Sequence, residues 1–191
     1  MNRGPGRSER LSESEAEKEI IRDVQAGDTE AFRFLVERYQ GPIYNLMLRS
    51  VTERETAADL AQETFTKAYA AIGRFNASKR FFPWLYAIGI NLLRDHMRKS
   101  GREYTGMDPD CLGEGVPPVD MQTRLDGQRM AQEIERLPEA YREALVLRFR
   151  EDCSMKDIAE ALSISVSGAK MRVSRGLCML RKRFGGEKHD Q

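Results

Sequence analysis

Residues 154–183, SMKDIAEALSISVSGAKMRVSRGLCMLRKR, carry the pattern that decides the C-terminal part of the fold: two helices joined by a tight turn, the second of them basic. Ser154 is placed to cap a helix start, Asp157 lies three residues on near the positive helix end, and Ile158, Ala159 and Leu162 form one apolar face. The spacing predicts that this helix stops near Ser163. Ile164 is then the apolar turn residue and Ser165 a second N-cap. Beyond it, Val166, Ala169, Val173, Leu177 and Leu180 recur at helical spacing. The arrangement is that of a helix-turn-helix, whose second helix enters the major groove of DNA.

From Val166 to Gly186 there are six bases (Lys170, Arg172, Arg175, Arg181, Lys182, Arg183) and no acid. A helix lying against phosphates needs such charge. A solvated basic helix at a chain end would show it too, and it is the preceding helix and turn that favour DNA.

At 191 residues the chain has room for one or two domains, and 40% apolar with 32% charged residues is the composition of a soluble protein. The formal net charge of +1 conceals strong segregation. Residues 1–72 carry 10 bases and 13 acids, and 73–102 carry 7 bases and one acid, Asp95. Residues 103–165 return to 7 bases and 14 acids. Two basic islands, 73–102 and 166–186, therefore lie in an acidic background. A protein that held DNA tightly on its own would more often be basic throughout, so a second partner other than DNA is expected.

Cys111, Cys153 and Cys178 show no ligand spacing with each other or with His96 and His189, so neither a metal site nor a cofactor is expected. Unpaired cysteines suit a reducing cytoplasm. No apolar run approaches a membrane span, and the polar start MNRGPGRSERLSESE is unlike a signal peptide, which predicts a cytoplasmic protein without direct membrane insertion.

After a disordered tail, a first helix is expected from near Ser12, where Ser12 and Glu15 have capping-box spacing, to Gly27. Asp28 caps a second, with Ala31, Phe32, Leu35, Val36 and Tyr39 on its apolar stripe and Gly41-Pro42 as a kink or a break. A third runs from about Glu55 to Ile72 with Ala57, Leu60, Ala61, Phe65, Ala68 and Ile72 buried. Short connections imply a bundle. On the outer face of the third helix Asp59, Gln62 and Glu63 project together; physics alone leaves open a solvated face or a docking face.

Residues 73–102, GRFNASKRFFPWLYAIGINLLRDHMRKSGR, combine seven bases with Phe75, Phe81, Phe82, Trp84 and Tyr86. Pro83 suits a first helical turn, and Leu85, Ile88, Leu92 and Leu93 supply the inward face of a fourth helix. Some of the rings must be core. Rings set among bases are also what single-stranded nucleic acid requires, since cations track the backbone while rings or pockets receive unstacked bases. Asn91, Arg94, Asp95 and Arg98 follow along the helix, and Asn91 is able to hydrogen-bond a base edge.

Residues 103–120, EYTGMDPDCLGEGVPPVD, hold three Gly, three Pro, five acids and no base, the composition of an extended linker between domains. Beyond it, 121–136 reads as a helix broken by Leu137-Pro138. Ala140 to Arg150 reads as another, through Tyr141, Ala144, Leu145 and Phe149, so that the C-terminal domain has four helices.

Three motifs now stand in order: DLAQETF at 59–65, FPWLYAIGIN at 82–91 with Asp95 and Arg98 following, and Leu137-Pro138-Glu139 ahead of the helix-turn-helix. Together they resemble a bacterial sigma factor of the extracytoplasmic-function (ECF) group of the sigma-70 family. The resemblance implies an all-α, non-enzymatic promoter-recognition factor: a tail at 1–11, a region 2-like domain at 12–102, the acidic linker at 103–120, a region 4-like domain at 121–184 and a tail at 185–191. It implies that Asp59, Gln62 and Glu63 dock on the clamp of core RNA polymerase. Arg74, Phe75, Lys79, Arg80 and Trp84 would belong to the loop that holds an everted minus-10 base, and Asn91, Arg94 and Arg98 to the helix beside it. Ser165, Ser167, Lys170, Met171, Arg172, Ser174 and Arg175 would face the minus-35 element. The linker is similar to the family segment that threads the polymerase's nucleic-acid channels, and an anti-sigma partner is implied as well. The chain departs from the family's usual pattern at Gly168-Ala169, where Thr-Val commonly stands, at Ser163, where Gly is frequent, and at Met171, where a small polar residue is usual.

Overall fold

A computed structural model describes residues 7–99 and 132–185, all of their regular structure being helical. The expected linker, 103–120, and most of the helix expected at 121–136 lie outside the described residues. The chain divides into two compact units, one within 1–96 and one within 97–191.

The first unit contains α1 (Arg7–Gln25), α2 (Phe32–Leu48), α3 (Arg54–Ala71) and α4 (Phe81–Lys99). Helix α1 begins ahead of the start expected near Ser12, so residues 7–11 of the expected tail are helical. The sequence gives the reason: after Gly6 there is no Gly or Pro until Gly27. Gly27 ends α1 at φ +106°, a conformation that costs a side chain most and glycine least. Asp28 Oδ1 accepts from the amides of Glu30 (3.0 Å) and Ala31 (3.2 Å), so it caps the 29–31 turn that leads into α2 and not, as expected, the helix itself, whose N-cap position is Ala31. Helix α2 runs through Gly41-Pro42 without a break. Pro42 removes one amide from the ladder, and burial of Tyr39, Ile43, Leu46 and Met47 on either side holds the helix together at roughly 1.5–3 kcal/mol per large apolar side chain.

All six residues expected on the inner face of α3 and its continuation are buried: Ala57, Leu60, Ala61, Phe65, Ala68 and Ile72. On α4, Leu85, Leu92 and Leu93 are buried as expected, together with Phe81, Phe82, Tyr86 and Ile90, whereas Ile88, expected with them, is half-buried. Gly89 lets α4 approach the other two helices. A β-carbon there would stand 3.2 Å from Met47 Cε, 3.3 Å from Leu46 Cδ2 and 3.5 Å from Thr64 Cγ2.

The second unit contains α5 (Glu139–Leu145), continued by a π-helical turn (Val146–Arg150), then α6 (Met155–Leu162) and α7 (Val166–Gly185); residues 132–135 are also helical. The π turn changes one expectation. At α-helical spacing Phe149 would follow Tyr141 and Leu145 into the core, but the wider turn rotates it out to 47% exposure. Helix α6 opens with a reciprocal capping box, Asp157 N to Ser154 Oγ (3.2 Å) and Ser154 N to Asp157 Oδ2 (2.9 Å). It closes on Ser163 in the left-handed conformation (φ 55°, ψ 47°).

Candidate nucleic-acid and polymerase interface

Three exposed surfaces follow from this framework. On α7, Ala169, Val173, Gly176 and Leu180 are buried at intervals of three and four, which commits the opposite side to solvent. Ser167, Lys170, Met171 and Ser174 share that outer side, with Arg175 half-buried one turn beyond Met171 and Arg172 half-buried at its edge. Val166, expected on the apolar face, is 44% exposed and Met171 is 40% exposed. The helix therefore begins with two uncovered apolar side chains among serines and a lysine. Ser165 has a different task from its neighbours. Its Oγ accepts from the Gly168 amide (3.0 Å), so the hydroxyl is engaged in capping α7. Of the six bases, Arg183 turns to its own domain, at 3.4 Å from Glu133 Oε2 and donating to the Arg136 carbonyl (3.2 Å).

The second surface lies on α4 and the loop before it. Trp84, Asn91, Arg94 and Arg98 stand at offsets of 0, 7, 10 and 14 along the helix, within a sector about 80° wide on one face. Asn91 and Arg98 are exposed, and Trp84 and Arg94 half-buried. Arg74, Lys79 and Arg80 are exposed on the loop. Phe75, grouped with these in the sequence, is only 7% exposed. Its ring packs against Trp84 (centroids 4.8 Å) and edge-on to Phe81 (5.7 Å), so it is the floor of the loop rather than a free ring. Tyr39 joins this cluster from α2, against Phe82 (5.1 Å) and Phe81 (5.9 Å). The loop itself has a built conformation. Asn76 Oδ1 accepts from the Ser78 amide (2.9 Å) and hydroxyl (2.7 Å), and the Lys79 amide donates to the Asn76 carbonyl (2.9 Å).

The third surface is on α3, where Asp59, Gln62 and Glu63 are exposed together and Glu63 pairs with Lys67 at 3.0 Å. Beside Gln62 a groove of about 870 Å³ opens between α2 and α3. It is lined mainly by Phe32, Val36, Tyr44, Phe65 and Tyr69. The sequence reading missed this groove, because its walls come from stripes on two helices each of which looks like ordinary core. Its signal is a surplus ring: Tyr69, one of its walls, remains 42% exposed after both helices have packed. Among the described residues no group of His, Cys, Asp and Glu is arranged to hold a metal, and no helix is long and apolar enough to cross a membrane.

A two-unit helical protein with a basic aromatic loop in one unit and a helix-turn-helix in the other has the architecture of a nucleic-acid-binding protein. Residues 35–103 match the family model for sigma-70 region 2, and residues 127–180 match that for sigma-70 region 4. The chain is 35% identical over 179 residues to the ECF RNA polymerase sigma factor SigW of Bacillus subtilis, covering 87% of this chain and 96% of that one. It is 35% identical over 173 residues to the RNA polymerase sigma-H factor of Pseudomonas aeruginosa (84% and 90%) and 31% identical over 188 residues to the ECF sigma-E factor of Haemophilus influenzae (91% and 98%). Among solved structures, CnrH in complex with the cytosolic domain of CnrY shares the fold with TM-score 0.63 at 24% identity, covering 91% of this chain and 99% of that chain. The sigma factor RpoE of Bartonella quintana, in complex with the anti-sigma factor NepR, does so with TM-score 0.60 at 24% identity, over 85% and 100%.

The chain belongs to the ECF group of the sigma-70 family. It is a non-enzymatic RNA polymerase sigma factor, acting in transcription initiation through core polymerase and DNA.

Proposed function

We propose that this sigma factor reads promoters with two weak readers on separate domains, made effective by attachment to core polymerase. The minus-10 reader is the 75–84 loop with Arg74, Lys79, Arg80 and Trp84 at its surface and Asn91, Arg94 and Arg98 on the adjoining helix face. Phe75 supports it from inside. The minus-35 reader is the outer face of α7: Ser167, Lys170, Met171, Ser174 and Arg175 toward bases and phosphates, Arg172 toward the backbone, and Ser165 holding the helix start. Asp59, Gln62 and Glu63, with the apolar groove beside Gln62, form the face for the polymerase clamp.

The observation that carries this reading is the placement of Trp84, Asn91, Arg94 and Arg98 on one face of α4, next to a loop whose floor is a packed ring cluster. Such a surface tracks a strand and offers a pocket for an unstacked base. A half-dozen phosphate contacts per reader gives a salt-sensitive affinity of roughly 0.1 mM to 1 µM. Joining two readers on one support raises effective affinity by about 100- to 10,000-fold, so the distance between promoter elements becomes part of specificity. The acidic linker is suited to a cationic channel that RNA later occupies. The exposed apolar groove is suited to capture by an anti-sigma protein, the kind of partner with which the Bartonella RpoE was crystallised. The site of action is the cytoplasm.

The decisive experiment is run-off transcription of the source genome by core polymerase with and without this protein. Initiation at a discrete promoter set only when the protein is added is the expected result. Tight, symmetric binding of duplex operator in the absence of polymerase would instead identify a dimeric helix-turn-helix regulator.

A further inference from the structure

Gln25, at the C-terminal end of α1, lies far in sequence from every motif that reads DNA. Its Nε2 nevertheless donates two hydrogen bonds to the root of the aromatic loop, to the Ile72 carbonyl (2.8 Å) and to the Phe75 carbonyl (2.7 Å). Those two carbonyls bracket the point where the chain changes conformation. Residues 72–74 form a single 3-10 turn closed by the Phe75 amide on the Ile72 carbonyl (2.9 Å), and Phe75 itself is extended (φ −73°, ψ 135°). Both carbonyls follow the end of α3, where helix carbonyls lack intrahelical donors. One amide group thus holds the turn and the extended residue after it in a fixed relation. That relation sets the direction in which 76–80 leaves the domain.

We infer that Gln25 is a positioning residue for promoter opening, aligning the 76–80 loop with Trp84 so that an unstacked base finds a formed receptacle. The inference rests on the reading of this loop as the minus-10 reader. Apart from the Phe75 amide on the Ile72 carbonyl, which closes the turn on itself, the root is held to the rest of the domain by packing: Phe75 against Phe81 and Trp84, with Ile21 and Val24 of α1 buried. Packing fixes where the root lies but permits rotation about it, whereas two hydrogen bonds from one planar amide define an orientation. Removing them leaves the core filled and the loop free to sample other exits. The cost should appear in the opening step, where the receptacle must already exist, and not in the formation of holoenzyme or of the closed complex.

The test uses full-length protein in holoenzyme, on a promoter found by run-off transcription. Gln25→Met keeps the length of the side chain and removes both donors; Gln25→Lys restores donors on a longer arm. Closed-complex affinity and opening rate are measured separately, opening by permanganate reactivity of unpaired thymines. A Lys79→Ala, Arg80→Ala protein is run in parallel.

The expected result is an opening rate reduced about five- to tenfold in Gln25→Met, the scale of one net hydrogen bond or slightly more. Core affinity and closed-complex affinity should stay unchanged, melting temperature should fall only by the few degrees that the lost hydrogen bonds cost, opening should recover in Gln25→Lys, and hydrogen exchange at the 76–80 amides should be faster in Gln25→Met. If the Lys79→Ala, Arg80→Ala protein opens slowly while Gln25→Met opens at the wild-type rate, the loop reading stands and the role of Gln25 falls alone. If the Lys79→Ala, Arg80→Ala protein opens normally, the loop reading falls and this inference with it. A loss in Gln25→Met shared equally by core affinity, melting temperature and opening makes Gln25 a folding residue only and overturns the inference.

Discussion

Gly176 on α7 and Leu145 on α5 meet so closely that a β-carbon at 176 would lie 2.9 Å from Leu145 Cδ1 and 3.0 Å from its Cγ. Leu145 is 1% exposed, so it has nowhere to withdraw. This contact sets how deeply the second helix of the helix-turn-helix seats on its own domain. Gly176→Ala gains about 1 kcal/mol of helix propensity and loses about 1–3 kcal/mol to overpacking. We expect a net destabilisation of the C-terminal domain, larger for Gly176→Val and partly relieved when Leu145→Val is added. Urea unfolding followed by a probe confined to 132–185 measures it.

Ser163 holds the left-handed position at the end of α6. Substitution by glycine relieves a conformation that costs a side chain about 1 kcal/mol, against a smaller loss from the freer unfolded chain. Ser163→Gly should raise the stability of the domain by a few tenths to about 1 kcal/mol. A fall in melting temperature would contradict the assignment.

The reciprocal bonds between Ser154 and Asp157 predict a coupled loss. Ser154→Ala alone should cost about 1 kcal/mol and Asp157→Ala a comparable amount, with the double variant costing less than their sum. A double-mutant cycle by chemical denaturation gives the coupling directly.

Ser165 and Lys170 should separate cleanly in DNA binding, because one caps the helix and the other stands exposed on its outer side. Lys170→Ala should weaken holoenzyme binding to all duplex sequences alike and lower the magnitude of the salt slope by about one. Ser165→Ala should leave the slope unchanged and lower domain stability by about 1 kcal/mol. Titrations at several salt concentrations distinguish the two.

Reversal of the acidic face tests polymerase docking. Asp59→Lys with Glu63→Lys should abolish measurable core binding while the fold persists. The Glu63–Lys67 pair that is lost is half-exposed and spans one helical turn, which makes it worth only about 0.3–0.5 kcal/mol. Unchanged core affinity would remove this face from the docking surface.

Much of this was legible residue by residue. Helix α6 was readable from Ser154 and Asp157 at its start and Ile158, Ala159 and Leu162 along it, because capping and periodicity are local. The inner side of α3 was readable for the same reason. Val166 and Phe149 were not. Both fit an apolar period, but burial also needs an opposing surface, and the π turn after α5 moved Phe149 out of register. Phe75 illustrates the converse. A ring among bases suits either a floor or a contact, and only the positions of Phe81 and Trp84 assign it to the floor.

The sequence by itself determined the course of most described helices, the caps at Ser154 and Ser165, the helix-turn-helix and the order of motifs that makes this an ECF sigma factor. These depend on residues three or four apart, where backbone geometry alone decides which side chains meet. Tertiary structure decided the seating of Gly176 on Leu145, the groove between α2 and α3, and the hold of Gln25 on the carbonyls of residues 47 and 50 positions away. An amide that caps a distant turn looks in sequence like any polar residue at a helix end. Its role arises only when packing brings carbonyls beyond the end of another helix within its reach.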